Sequence, residues 1–149
     1  MPKARFDWSN YSHCGGSYDT CHDLGSDIAG TQYDVAHVQW GGKWQMPSYE
    51  QLYELASFDY TWQKVAEVND KEVYGALYIG PSGGSIILPA GGFRNYNIEY
   101  YDLCGLYWSS TQNSSYSESA HVLYISYYRD GAVSHEREDG LSVRPVWVP

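Results

Sequence analysis

The segment from residue 105 to residue 145 constrains this chain most, because its ends and its interior have different compositions. The ends, residues 107–111 (YWSST) and residues 140–145 (GLSVRP), are short structural motifs. Between them Tyr, Ser, Asp and His predominate, which is typical of an antibody contact surface rather than of a protein core. We expect a rigid scaffold upstream to hold this segment, and the segment itself to bind a ligand.

Length and charge narrow the class of protein. The 149 residues fit one domain, residues 1–149, and a chain with 43% apolar and 18% charged residues is expected to fold. The net charge of −9 disfavours nucleic acid as a partner. No run of eighteen apolar residues occurs, so no membrane insertion is expected. No signal peptide follows Met1, which suggests a piece of a longer protein or export without a signal.

The three cysteines leave two interpretations open. Cys14 and Cys21 lie in a loop rich in Gly, Ser and Asp and can form a disulfide, which would leave Cys104 unpaired. The alternative is a metal site that adds His13 and His22, although this spacing matches no common zinc motif.

Two helices are predicted in the first half, after a short strand at residues 5–8. Thr31 can cap a helix over residues 32–39, with Ala36 and Trp40 facing inward.

The second helix has the stronger local signal. Ser48 and Gln51 form a capping box that opens a helix over residues 49–56. Leu52 and Leu55 have the spacing of core residues on that helix.

The remaining chain predicts strands, with the stretch around Trp62 as a connection and Asp130-Gly131 as a turn. In chain order the predicted strands are residues 73–79, 85–88, 106–109, 120–128, 132–135 and 142–148. The expected fold is α+β, with two short helices packed on a mixed, mainly antiparallel sheet and long irregular loops.

Five motifs follow one another along nearly the whole chain. They are residues 30–36 (GTQYDVA), 40–48 (WGGKWQMPS), 86–94 (IILPAGGFR), 107–111 (YWSST) and 140–146 (GLSVRPV). In this order they resemble the Fibrobacter succinogenes major paralogous domain and its relatives from gut Bacteroidales and their phages. The resemblance implies a C-type lectin-like fold of the branch close to formylglycine-generating enzymes.

Within that branch, residues 95–146 resemble the variable region of proteins diversified by retroelements. In those systems adenines of a template are copied with errors, so that Asn codons yield Tyr, Ser, Asp or His. Eight of the sixteen Tyr lie between Asn95 and Tyr128, where the resemblance places variable positions. Glu118, Glu136 and Glu138 are not reachable from an Asn codon and would be fixed or derive from Lys codons.

Tyr offers a large contact area with few torsions to order, and this supports a binding surface. The alternative is that several Tyr are ordinary strand residues, with Leu123 and Ile125 as core positions. The candidate contact residues are Tyr96, Asn97, Tyr100, Tyr101, Asp102, Leu106, Tyr116, Ser117, His121, Tyr124, Tyr127, Tyr128, His135 and Asp139.

Other residues favour structural interpretations over sites. Four tryptophans can stack on sugars, but their positions within the motifs favour a place in the core. Two arginines can bind a carboxylate, but we expect them to make structural hydrogen bonds. These residues are Trp40, Trp44, Trp62, Trp108, Arg94 and Arg144. No metal site or cofactor is predicted; Asp19, Asp23 and Asp27 lack EF-hand spacing, and a structural calcium ion stays open.

No catalytic residue is predicted. The five His fit no nucleophile–base pattern. The second half holds one Cys and not the pair that formylglycine-generating relatives use. We expect recognition of a protein or cell-surface ligand, at the end of a phage tail fibre or on a bacterial surface. A fixed-specificity adhesin, a glycan-binding lectin-like domain and an oxidase are the alternatives.

Overall fold

The computed structural model describes residues 11–14, 21–95 and 97–149. Within these residues the chain is mostly β, with ten strands in four small antiparallel sheets and two helices of six and seven residues. The predicted α+β, C-type lectin-like fold is therefore wrong. The prediction places two helices on one sheet, whereas the strands form four separate short sheets. The predicted strand at residues 5–8 lies outside the described residues, and no described helix is long and apolar enough to cross a membrane.

The elements follow one another as short segments. The helices are α1 (Val35–Trp40) and α2 (Tyr49–Leu55). The strands are β1 (Trp44–Gln45), β2 (Tyr60–Val68), β3 (Lys71–Ile79), β4 (Ser85–Pro89), β5 (Phe93–Arg94), β6 (Ile98–Glu99), β7 (Cys104–Gln112), β8 (Ser119–Ser126), β9 (Asp130–Glu136) and β10 (Val146–Trp147). The sheets pair β1 with β10, β2 with β3 and β4, β5 with β6, and β7 with β8 and β9.

Helix α1 begins later than predicted, because Asp34 and not Thr31 is its cap. The Asp34 carboxylate is fully buried and accepts hydrogen bonds from the backbone N–H groups of Ala36 at 2.9 Å and His37 at 3.0 Å. The inward position of Ala36 is confirmed. Trp40 is the last helical residue and lies exposed, so its predicted inward position is wrong.

The second oxygen of Asp34 joins α1 to its neighbours. It accepts from the N–H of Gly30 at 2.9 Å and from the N–H of Met46 at 2.9 Å. One buried carboxylate thus satisfies four backbone donors, which are costly to leave unpaired away from water.

The capping box of α2 is confirmed. The Ser48 hydroxyl accepts from the N–H of Gln51, and the Gln51 side chain accepts from the N–H of Ser48 at 2.9 Å. The helix buries Leu52 against the core and is tied to β7, since the N–H of Tyr49 donates to Thr111 Oγ1 at 3.0 Å.

The hairpin predicted at residues 73–79 and 85–88 is confirmed as β3 and β4, with Leu77 opposite Ile87. The strand before it, β2, was missed because its outer half is largely exposed and has no clear alternation of apolar and polar residues, and it lies at the edge of its sheet. The residues around Trp62 are therefore not a connection; Tyr60 and Trp62 pack on the core from β2.

The β7–β8–β9 sheet is covered on both faces. One face contributes Tyr107, Leu123 and Ile125 to a core that also contains Leu52, Ala76, Tyr78 and Leu88. The other face contributes Cys104, Leu106 and Val122 to a second cluster, with Phe93, Trp108, Tyr124 and Leu141 around it. The predicted core positions Leu123 and Ile125 are confirmed. Leu106, a candidate contact, is only 4% exposed and belongs to the core.

The turn between β8 and β9 also differs from the prediction. Asp130 and Gly131 are already paired, with Ile125 and Tyr124 respectively, so they belong to β9. The turn falls instead on residues 127–129, where the Ser126 hydroxyl accepts from two backbone N–H groups.

Two further predictions concern the ends of the chain. The strand predicted at residues 142–148 shortens to β10, although Ser142 makes an isolated parallel bridge with Tyr107. Cys14 and Cys21 form a disulfide, and Cys104 is a buried free thiol.

Candidate binding surface

Four exposed tyrosines lie at one end of the β7–β8–β9 sheet. Cys104 pairs with Ser126, so the loop before β7 and the turn after β8 share this end of the ladder. The exposed fractions are 59% for Tyr100, 42% for Tyr101, 67% for Tyr127 and 90% for Tyr128. We call these four residues the tyrosine group.

The loop that carries Tyr100 and Tyr101 is held by its backbone. The N–H of Leu103 donates to the carbonyl of Tyr100 at 3.0 Å, and the N–H of Asp102 donates to the carbonyl of Ala90 at 3.1 Å. The loop packs so closely on Gly92 that a Cβ there would collide with the backbone of residues 99–101. The two side chains are therefore displayed on a fixed support.

The loop backbone is also strained. Tyr100 and Asp102 have φ of 53° and 62°, a left-handed conformation that side chains other than glycine seldom adopt. The ring of Tyr100 stacks on the ring of Phe93, with the ring centroids 5.9 Å apart. Non-glycine residues in this conformation cluster at ligand-binding segments, which fits a loop shaped for contact.

The turn that carries Tyr127 and Tyr128 is closed by the Ser126 hydroxyl, not by the two tyrosines. Their rings meet edge to face with centroids 5.1 Å apart. Next to them, the guanidinium of Arg129 lies 5.2 Å from the ring centroid of Tyr124, which is half-buried on the sheet. Aromatic rings beside an exposed arginine are the residue types that dominate binding hot spots.

Three other predicted contacts lie at the opposite end of the sheet. Tyr116 is exposed and Ser117 half-buried in the β7–β8 loop, where Asn113 Oδ1 accepts from two backbone N–H groups. His121 packs against Tyr49 of α2 at 4.5 Å between ring centroids. Eight residues of extended strand span roughly 25 Å, so these three residues are well separated from Tyr127 and Tyr128 at the other end of β8.

His135 pairs with Ala120 toward the Tyr116 end of the sheet, but neither His135 nor Asp139 forms an exposed surface. Their side chains are 18% and 8% exposed, and His135 Nε2 lies 2.8 Å from Asp139 Oδ2. The imidazole also packs edge-on against Phe93 at 5.1 Å. We therefore assign this pair to the support of the sheet rather than to the contact surface.

The same pair belongs to a group of three side chains with the ligand types that cations take. His135, Glu136 and Asp139 offer ligand atoms within 4.8 Å of one another, the one such group of three in the described ranges. His135 Nε2 and Asp139 already bond each other, and Glu136 points outward with 45% of its side chain exposed. This arrangement is accounted for without an ion.

The remaining candidates are placed as follows. Asn97 is exposed and Asp102 half-buried beside the tyrosine group, while Tyr96 lies outside the described residues. Trp44, Trp62 and Trp108 are half-buried, in line with structural roles. Arg94 pairs through its backbone with Gly140, and Arg144 is exposed, with Nη1 donating to the carbonyl of Ile87 at 3.4 Å.

Sequence reasoning missed three neighbours of the tyrosine group. Leu103 and Ile98 are 65% and 62% exposed, and Arg129 lies in the same turn as Tyr128. Their proximity depends on the register of β7 against β8, which composition does not reveal. The two exposed aliphatic side chains add apolar area in segments next to the tyrosine group, and exposed apolar area is typical of interaction sites.

Comparison with known proteins gives a single match. No curated protein and no solved structure matches the chain. A family model described as a domain of unknown function (DUF8237) matches residues 51–146, from α2 to the start of β10, which is more than half of the chain. The matched range includes the whole tyrosine group. The chain therefore belongs to the DUF8237 family.

Proposed function

We propose that this domain is a non-catalytic binding module that presents the tyrosine group to a protein or cell-surface ligand. The observation that carries the proposal is the exposure of Tyr100, Tyr101, Tyr127 and Tyr128 on backbone segments fixed by other residues. Such a surface loses little conformational entropy on binding, because the loop is already ordered and each Tyr has two torsions.

Charge indicates the kind of partner. A chain of net charge −9 repels nucleic acid and anionic membrane surfaces, whereas a neutral or basic protein surface complements it. Exposed aromatic and aliphatic side chains at the same end supply the apolar contact. The ligand that we propose is therefore a protein or a surface-attached polymer, reached from a phage tail or from a bacterial surface.

We further propose that residues 95–146 vary between copies of this domain, through a diversity-generating retroelement. The division between displayed and supporting residues favours this. The tyrosine group makes few side-chain contacts that the fold requires, whereas the backbone below it is held by main-chain hydrogen bonds and by the buried side chains of Cys104 and Leu106. Side chains on such a support are replaceable without unfolding the domain.

Binding to intact bacteria tests the proposal. The labelled domain is applied to a panel of gut Bacteroidales cells and bound fluorescence is measured by flow cytometry. The triple variant Tyr100→Ser, Tyr127→Ser and Tyr128→Ser should lose binding to every strain that the unmodified domain binds.

A matched control removes an equally exposed tyrosine outside residues 95–146. Tyr53→Ser changes a ring that is 61% exposed, on α2. Binding should survive in this variant. Equal loss in both variants, or retention in the triple variant, would exclude the tyrosine group as the binding surface.

A further inference from the structure

A second site lies where β7 separates from β8. Trp108 pairs with Val122 and Gln112 pairs with Ala120, so three residues of β7 face one residue of β8 across a bulge. The backbone of the bulge makes its hydrogen bonds outside β8. The N–H of Ser110 donates to the carbonyl of Pro47 at 2.8 Å, and the Ser110 carbonyl accepts from the N–H of Ile28 at 3.0 Å. Bulges re-aim side chains, and this one turns Ser110 away from the ladder.

The bulge lines a cavity of about 220 Å³. Its walls are mainly apolar and include Leu24, Ile28, Met46, Trp108, Ala120 and Val143. Tyr33 and Val35 also line it and are exposed, so the cavity opens to solvent. A dry protein cavity of about 150 Å³ holds benzene, so the space suits a ligand of one ring and a short substituent.

Two polar groups of the lining have no hydrogen-bond partner among the described residues. Ser110 is 3% exposed, and its Oγ has no partner, although it is both a donor and an acceptor. Arg137 Nη2 is buried without a partner as well. Buried polar atoms left in this state cost free energy that a ligand with a suitable acceptor would recover.

Arg137 is held in place for such a role. Its Nη1 donates to the carbonyl of Ser117 at 2.7 Å and to the carbonyl of His22 at 3.1 Å, and its guanidinium lies 5.7 Å from the ring centroid of Tyr11. Both of these hydrogen bonds go to neutral carbonyls and not to a carboxylate. Burial and the charge of Arg137 lower the pKa of His13.

We propose that this cavity binds a small apolar monocarboxylate. The carboxylate accepts from Arg137 Nη2, the Ser110 hydroxyl bonds the polar end of the ligand, and the apolar walls take its body. An inorganic phosphate would leave those walls unfilled, and a neutral hydrocarbon would leave both polar groups unpaired. The site shares no residue with the tyrosine group.

Calorimetric titration of the full chain with phenylacetate tests this site, with phenylacetamide as the neutral isostere. Charge-assisted hydrogen bonds are worth about 1.5–3 kcal/mol, so phenylacetate should bind at least roughly tenfold more tightly than the amide. No binding of phenylacetate at millimolar concentration, or equal binding of the two compounds, would overturn the proposal.

Ser110→Ala is the variant of choice, because the hydroxyl makes no hydrogen bond that the fold would lose. It should leave thermal stability unchanged or slightly raised and weaken phenylacetate binding about fivefold or more. The control Ser85→Ala, on an exposed position of β4, should bind as the unmodified chain does. Equal affinity of Ser110→Ala and Ser85→Ala would remove Ser110 from the site.

Arg137→Met should abolish the preference for the acid over the amide. If this variant loses its fold along with the bonds to Ser117 and His22, Ser110→Ala and the acid–amide comparison still decide the proposal. Substitutions in the tyrosine group should not alter phenylacetate binding, so the two proposed sites are tested independently of each other.

Discussion

Cys104 and Ser126 lie directly opposite each other in the β7–β8 ladder, and this pair places the loop before β7 and the turn after β8 at the same end of the ladder. Cys104 is buried beneath the loop that carries Tyr100 and Tyr101. Ser126 closes the turn that carries Tyr127 and Tyr128. A shift of one residue in this register would exchange the side chains of β8 between its two covered faces, so the position of the tyrosine group depends on the ladder.

The encoding locus should contain a second copy of the codons for residues 95–146, close to a reverse transcriptase gene. We expect the two copies to differ mainly at adenines of the template, at codons of the tyrosine group and not at the codon of buried Leu106. Sequencing the flanking region decides this. A locus without the second copy would leave a surface domain of fixed specificity.

Asp34→Ala should destabilise the domain by at least about 3 kcal/mol, since four backbone N–H groups lose their acceptor in a buried position. Urea unfolding measures the change. Asp59→Ala, at an exposed position before β2, is the control and should change stability by less than about 0.5 kcal/mol. Similar values for both variants would contradict the role assigned to Asp34.

Leu106→Ala and Leu103→Ala separate core from surface at the start of β7. Leu106 is 4% exposed, and Leu106→Ala should lower the free energy of unfolding by about 2–5 kcal/mol because it leaves a cavity. Leu103 is 65% exposed and should cost little. Thermal unfolding of the two variants gives the comparison; a stable Leu106→Ala variant would return Leu106 to the set of candidate contacts.

Stability should fall in alkaline solution. Burial raises the pKa of the Tyr107 hydroxyl, and burial together with the hydrogen bond to Asp130 raises the pKa of the Tyr78 hydroxyl. The folded state therefore keeps protons that the unfolded state releases near pH 10, so the stabilisation is complete below about pH 10 and is lost as the pH rises above it.

Urea unfolding between about pH 9 and pH 11 measures this decline. Tyr107→Phe, which removes one of the two hydroxyls, should show a shallower decline than the unmodified chain. The exposed Tyr128→Phe is the control and should leave the slope as it is. A flat profile for the unmodified chain would contradict the burial of both hydroxyls.

Local signals made part of this fold predictable. The capping box at Ser48 and Gln51 uses residues within one helical turn, and the β3–β4 hairpin follows from two apolar runs around a glycine-rich loop. The cap of α1 was misplaced because Thr31 and Asp34 are both suitable N-cap residues, and the burial of Asp34 against Met46, twelve residues away, is a long-range contact that does not show in the local sequence.

The candidate surface was predictable only in part for a related reason. Composition marked Tyr127 and Tyr128 as exposed, and they are. Leu106 was also predicted as a contact, and that prediction is wrong because Leu106 is buried. Alternation along a strand identifies a solvent face only where the sheet has one, and both faces of β7 are covered. The cavity at Ser110 depends on a bulge whose partners lie in other segments, so sequence gave no signal for it.

The length of β8 has one further consequence. Tyr127 and Tyr128 follow one end of the eight-residue strand β8 and Tyr116 precedes the other end, roughly 25 Å away. Substitutions at such separations add their effects independently, without epistasis. Each end is therefore free to accumulate replacements under its own selection, and a lineage of these domains should show no covariation between the two ends.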